Sequence, residues 1–193
     1  MSTRTSPASP TDLARSELVA QLREQALVIG DVTLSSGVLA RYLIDAKRVI
    51  LTPPGFWALS ALVGAYVREW DATAVGGLTL GADAIACAAV ASGESVNGFF
   101  VRKDAKQHGL QQLIEGPPLQ PSDRCLIVDD VVTSGKSTIQ AIRAVQNEGL
   151  TICGVVSILD RLAGGGGRIE AAADAPYVAL TTIDDVYPER PDR

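Results

Sequence analysis

The chain has 193 residues, of which 47% are hydrophobic and 20% charged, and carries a net charge of −5. This length buries one well-formed α/β domain and is short for two, and the composition excludes a disordered chain. The acidic balance leaves no general basic surface, which excludes nucleic acid as the expected partner; a bound anion needs a local cluster of cations.

At the start of the chain, the polar stretch MSTRTSPASPTD has no apolar run of the kind that marks a secretory leader, and residues 1–11 are expected as a disordered lead-in. No apolar run approaches the length of a membrane span, so no membrane partner and a cytoplasmic location are expected. Asp12 reads as the N-cap of a first helix, LARSELVAQLREQALV, with apolar residues at helical spacing. DVTLSSGVLARYLIDAKRVI then shows β-type stretches about a turn at Ser35, Ser36 and Gly37. Pro53 and Pro54 stand where a helix begins, and GFWALSALVGAYVREW continues it.

From Asp71 the rhythm becomes strand, glycine-rich turn, helix. TAVGGLTLGADAIACAAVASG has it, VNGFFVRK adds a strand, and RCLIVDDVVTSGKSTIQAIRAVQNEG has it again. LTICGVVSILDR and PYVALTTI are further strands. Short, continuously apolar strands alternating with helices predict an α/β fold: a mostly parallel central sheet with helices on both faces. Such sheets bind ligands at the carboxyl ends of their strands, which here are residues 76–83, 102–109, 129–137 and 160–161. The predicted organisation is one domain over 12–182, with a small N-terminal hood largely in 12–50, a core in 55–182 and a mobile tail over 183–193. The connection 102–121, RKDAKQHGLQQLIEGPPLQP, has the length and polarity of a mobile lid. The four glycines 164–167 read as a flexible surface loop. Cys87, Cys125 and Cys153 are odd in number and fit no zinc spacing, and are expected as buried structural thiols.

The stretch CLIVDDVVTSGKST carries the most chemistry. Its Gly-Lys-Ser ending matches part of a P-loop, but the first glycine of such a loop would fall at Asp130, where a carboxylate repels phosphate. The alternative uses more of the residues. A buried strand ends in two adjacent acids, and a turn rich in small and hydroxyl residues then opens a helix whose amides suit a phosphate dianion. Two neighbouring carboxylates make sense as acceptors for sugar hydroxyls, or beside a metal and a developing positive charge. Together they describe a site for a phosphorylated ribose.

This string resembles the phosphoribosyl pyrophosphate (PRPP) signature of the type I phosphoribosyltransferases: apolar strand, two acids, two apolar residues, then Thr-Ser-Gly-x-Ser. VRKDAKQHG crowds Arg102, Lys103, Lys106 and the only histidine, His108, into seven residues, a cluster able to close over a leaving pyrophosphate. Its spacing resembles the mobile catalytic loop of the orotate phosphoribosyltransferases. GGLTLGAD resembles their pyrophosphate loop, ILDR a conserved strand end, and VTLSSG followed by YLID the hood over the base. The resemblance runs from Val19 to Leu180.

The resemblance implies transfer of the 5-phosphoribosyl group from PRPP to orotate, giving orotidine 5′-monophosphate and pyrophosphate, in a homodimer whose loop is shared across the interface. It implies Mg²⁺ as cofactor, held mainly by PRPP with no metal ligand set in the protein. Catalytic roles fall to Lys103, Lys106, His108, Asp129 and Asp130. PRPP binding falls to the same five and to Arg102, Val131, Val132, Thr133, Ser134, Gly135, Lys136 and Ser137; Thr133 and Arg161 are expected to meet orotate. The chain departs from many relatives at Ser35 and Leu80, where they carry lysine; Lys47 and Arg48 lie near the hood as candidates to compensate for these two cations. A transferase for another base, and a PRPP-sensing regulator of the same fold, are the alternatives.

Overall fold

A computed structural model of the chain describes residues 9–33, 39–104 and 113–193. Helix α1 (Pro10–Gln21) starts earlier than predicted. Its N-cap is Ser9, whose hydroxyl accepts from the Asp12 amide at 3.1 Å while the Asp12 carboxylate accepts from the Ser9 amide at 3.1 Å. Asp12 is therefore the third residue of a capping box and not the cap itself. A π-type turn over Leu22–Ala26 leads into the hairpin of β1 (Leu27–Thr33) and β2 (Leu39–Ile44), which pair antiparallel. The short helix α2 (Lys47–Ile50) and the long α3 (Pro53–Glu69) follow.

The main sheet contains β3 (Ala74–Leu78), β4 (Asn97–Val101), β5 (Ile114–Glu115), β6 (Arg124–Val132), β7 (Thr151–Asp160) and β8 (Tyr177–Thr182). Its order is β5-β4-β3-β6-β7-β8; all neighbours pair parallel except the edge strand β5 on β4. From β3 the chain steps outward to β4 and then returns to β6 on the other side of β3. The crevice at the carboxyl ends of β3 and β6 is thus a topological switch point, the place where open α/β sheets bind ligands.

Alternate residues of β6 sort onto the two faces, as the two-residue period of a strand requires. Leu126 and Val128 pack with Leu18 of α1, Leu59 and Val63 of α3, and Ile85 of α4 (Asp83–Ala91). Cys125 and Ile127 pack with Ile142 and Val145 of α5 (Lys136–Asn147) and Ile169 of α6 (Gly165–Ala173). Helices cover both faces, as the sequence predicts.

Three local expectations are corrected. The glycines 164–167 do not form a loop: Gly164 caps α6 and the other three are its first turn. Only Cys125 is fully buried, its thiol pushed up to about 12 by burial; Cys87 is exposed and Cys153 half-buried. The tail carries local structure of its own: α7 (Ile183–Val186) has a capping box at Thr182, and Arg190 pairs with Asp184.

Candidate active site

The two acids at the end of β6 are divided by the alternation that sorts the core. Asp129 lies on the α5 side, 3% exposed, and accepts from Ser137 Oγ at 2.8 Å and Thr138 Oγ1 at 2.5 Å. Burial pushes its carboxyl up to about 6; Asp130 adds repulsion, while Thr138 and Ser137 pull the value back down. Asp130 lies on the other side and accepts from Lys47 Nζ at 3.1 Å. Adjacent acids that would repel in one environment are thereby given two.

The turn after β3 comes directly onto this pair. A Cβ on Gly81 would lie 2.7 Å from Asp130 Oδ1 and 3.2 Å from Asp129 Oδ1, so the approach requires glycine. The preceding peptide, Thr79–Leu80, is cis. Leu80 is 75% exposed in the cleft, and brings no charge to it. Ser35 lies outside the described residues.

Residues 133–137 form the turn that opens α5. Gly135 takes φ +75°, a left-handed conformation, and is packed against Ile169 of α6. Arg168 Nε donates to the Ser134 carbonyl at 3.1 Å, so α6 also fixes this turn from outside. Thr133 and Ser134 are exposed, leaving the turn's amides and hydroxyls open to a ligand. Val131 and Val132 differ from the other site candidates: their side chains pack into the two core layers, the Val131 amide donates to Asp130 Oδ1, the Val132 carbonyl accepts from Arg161, and neither lines the cleft. Lys136 is exposed and lines a neighbouring groove with Arg143 and Arg168, not the cleft between the acids.

That cleft has a volume of about 1110 Å³. Its walls bring together Thr79–Gly81, Asp129, Asp130 and Ser137 with Arg102, Lys103 and Lys47. Arg102 Nη1 donates to Glu115 at 3.2 Å, and the Lys103 carbonyl accepts from Gln140 at 2.9 Å, which ties the base of the loop to β5 and α5. Lys106 and His108 lie outside the described residues. Lys47, one of the two compensating candidates near the hood, lines this cleft and Arg48 does not; its contact with Asp130 spans 83 positions and no local motif announces it. Burial alone would lower its pKa, but Asp130 and Asp45 outweigh burial and raise it.

Arg161 is anchored by its amide to the Val132 carbonyl at 2.8 Å, beside the end of β6. Its guanidinium stacks 4.8 Å over the Tyr42 ring, donates to the Tyr42 hydroxyl at 2.7 Å and meets Asp192 at 3.5 Å. It does not line the acid cleft; it stands at the junction of hood, core and chain end, already facing a carboxylate.

The phosphoribosyl transferase domain family matches residues 73–174, the part that holds both acids, the turn over 133–137 and Arg161. An orotate phosphoribosyltransferase of Corynebacterium glutamicum is 42% identical over 174 residues, covering 90% of this chain and 94% of its own. The crystal structure of Mycobacterium tuberculosis orotate phosphoribosyltransferase with Fe(III) dicitrate superposes with a TM-score of 0.81 at 38% identity, over 90% of this chain and 99% of that one. The same enzyme's complex with PRPP gives 0.76 at 34% identity, over 90% and 98%. With the acid pair, Ser137 and the cations Arg102 and Lys103 about one cleft, this similarity over nearly its full length means that the chain belongs to the orotate phosphoribosyltransferase family.

Proposed function

We infer that the chain transfers the 5-phosphoribosyl group of PRPP to orotate, forming orotidine 5′-monophosphate and pyrophosphate in pyrimidine nucleotide synthesis. The observation that carries this reading is the division of Asp129 and Asp130 between two environments in a cleft that Ser137, at the start of α5, also lines.

The protein needs neither a nucleophile nor a strong base, because orotate ionises at N1. Its work is positioning and electrostatics. In our reading Asp130 accepts from the ribose hydroxyls, and the buried Asp129 faces the positive charge that grows at C1. The amides and hydroxyls of residues 133–137 hold the 5′-phosphate. Ser137 Oγ donates to Asp129, so its main-chain amide is the group left for phosphate. Arg102 and Lys103, with Lys106 and His108 of the same loop, take the pyrophosphate as the C1–O bond breaks; His108, with a reference pKa near 6.5, can also give it a proton. Arg161 takes the orotate carboxylate in place of Asp192, with Thr133 beside it.

Mg²⁺ fits this donor set as a companion of the substrate. Among the described residues no group of three or more His, Cys, Asp or Glu side chains comes together to cage an ion, whereas Mg²⁺ commonly binds through substrate phosphates. Asp129 and Asp130 would hold it through the ribose hydroxyls, and when bound it supplies charge neutralisation to the diphosphate.

We further read the working unit as a homodimer in which the loop 102–121 of one subunit completes its partner's cleft. Supporting this, Leu51 and Trp57 stand 70% and 60% exposed about the start of α3, an apolar surface that a second copy would cover. The reaction is assigned to the cytoplasm; among the described residues no helix is long and apolar enough to cross a membrane.

The test is loss of orotate absorbance with purified protein, PRPP and Mg²⁺, with uracil and hypoxanthine in parallel. Turnover of orotate alone is expected. Consumption of hypoxanthine, or heat protection by PRPP with no base consumed, would replace this reading with one of the two alternatives.

A further inference from the structure

The cleft is short of positive charge for the substrate assigned to it. Among its described lining residues four acids, Asp104, Glu115, Asp129 and Asp130, face three cations, Lys47, Arg102 and Lys103. Arg102 is engaged with Glu115. The turn over 79–81 offers amides but, with Leu80 at its centre, no cation. PRPP brings a 5′-phosphate and a diphosphate, and Mg²⁺ offsets part of that charge.

Lys47 differs from the other two cations in where it comes from and how it is held. It begins α2, next to the hood hairpin, whereas Arg102 and Lys103 lead into the loop after β4. Its ammonium sits between two carboxylates, Asp130 at 3.1 Å and Asp45 at 3.3 Å. The Asp45 amide donates to the Ala26 carbonyl at 2.9 Å, and Asp45 Oδ1 is buried with no hydrogen-bond partner, so it faces Lys47 as an ion pair alone. An ammonium has three donors. One of them goes to Asp130, and Lys47 lines the open cleft, its side chain 46% exposed. Once Asp130 turns to the ribose hydroxyls, a further donor is released beside the place where the diphosphate must lie.

We propose that Lys47 is a ligand of the PRPP diphosphate, supplied by the hood side of the cleft, and that it passes from Asp130 to the diphosphate when substrate enters. This rests on the PRPP reading above. In the reaction the C1–O bond breaks with its electron pair going to pyrophosphate, while N1 of orotate bonds to C1. A cation already held at that diphosphate stabilises the charge that develops on it without reorganisation. The exchange also frees Asp130 for the sugar at the moment the sugar arrives.

Titration calorimetry on the full chain separates this from a structural role. The ligands are Mg²⁺-pyrophosphate and ribose 5-phosphate, which keeps the sugar hydroxyls and the 5′-phosphate but lacks the diphosphate. The variants are Lys47→Met and Lys47→Arg; the half-exposed site lets both fold, which circular dichroism checks. Lys47→Met is expected to weaken Mg²⁺-pyrophosphate about tenfold or more, the loss of one charge-assisted contact, with ribose 5-phosphate within about twofold. Lys47→Arg should recover most of the loss, and in turnover KM should rise for PRPP and hold for orotate. Equal losses for both ligands would mean that Lys47 acts only by orienting Asp130, and no loss for either that the ion pair has no part in binding; each overturns the proposal. If the unaltered chain binds neither ligand, the PRPP reading itself falls.

Discussion

Asp129 pairs burial with chemistry that needs a negative charge. Its carboxyl, pushed up to about 6, is held at that level by two hydroxyl donors, of which Thr138 is itself buried. On the role proposed for it, the free enzyme loses this negative charge as pH falls through about 6, and kcat/KM should drop on that acid limb. PRPP phosphates titrate in the same region, so one profile does not identify the group. Thr138→Val does. It removes a hydrogen bond to the ionised form, a contribution of about 1.5–3 kcal/mol for a charged acceptor, and so raises the Asp129 pKa by roughly one to two units. The acid limb should move to higher pH by about that much, with kcat/KM near pH 9 little changed. Substrate titration is the same for both proteins, so an unmoved limb would assign it to PRPP and not to Asp129.

At the scale of elements, the tail after α7 bears on the acceptor. Asp192 reaches Tyr42 at 3.0 Å and Arg161 at 3.5 Å, presenting a carboxylate to the guanidinium assigned to the orotate carboxylate. The pair is half-exposed on the Asp192 side, which limits its strength to about 1 kcal/mol or less. Asp192→Asn should accordingly lower KM for orotate about two- to fivefold and leave KM for PRPP where it was. A fall in both, or in neither, would detach Arg161 from orotate. The same element shows which parts of the molecule were legible beforehand. The run from β6 through the turn to α5 could be read almost residue by residue, because strand, acids and helix start are contiguous and their periods are local. The sequence names Arg161 through its strand end, but its partners Tyr42 and Asp192 lie 119 and 31 positions away and carry no motif. Lys47 is marked in the sequence only by its nearness to the hood, for the same reason: its contact with Asp130 spans 83 positions. The glycines 164–167 were misread because glycine is a poor helix former on its own. The tertiary context overrides that preference: a side chain at Gly165 would put Cβ 2.6 Å from the Thr133 carbonyl, so the helix must begin with glycine to support the phosphate turn. Asp12 was misplaced by one turn, although Ser9-Pro-Thr-Asp12 is itself a capping-box sequence.

For the whole molecule, the question is whether one chain makes one complete site. The acids and the phosphate turn come from the sheet, Lys47 from beside the hood, and Arg102 and Lys103 from the base of the loop whose further cations are Lys106 and His108. If the loop serves its own cleft, a subunit with the loop cations removed is dead in any company. If it serves the partner's cleft, defects in loop and acids complement each other. Two variants decide this: Lys106→Ala with His108→Ala in one chain, Lys103 being kept because it lines its own subunit's cleft, and Asp129→Asn with Asp130→Asn in the other. Each alone should have little turnover. Mixed, unfolded and refolded in equal amounts, random pairing makes about half of the dimers hybrid, and each hybrid joins an intact acid pair to an intact loop in one of its two clefts. About a quarter of the unaltered activity should return, and it should grow with the hybrid fraction isolated by differential tagging. A mixture that stays inactive while hybrids are present on the column would make the loop a lid of its own subunit, and would leave the exposed Leu51 and Trp57 surface as a contact without a catalytic consequence.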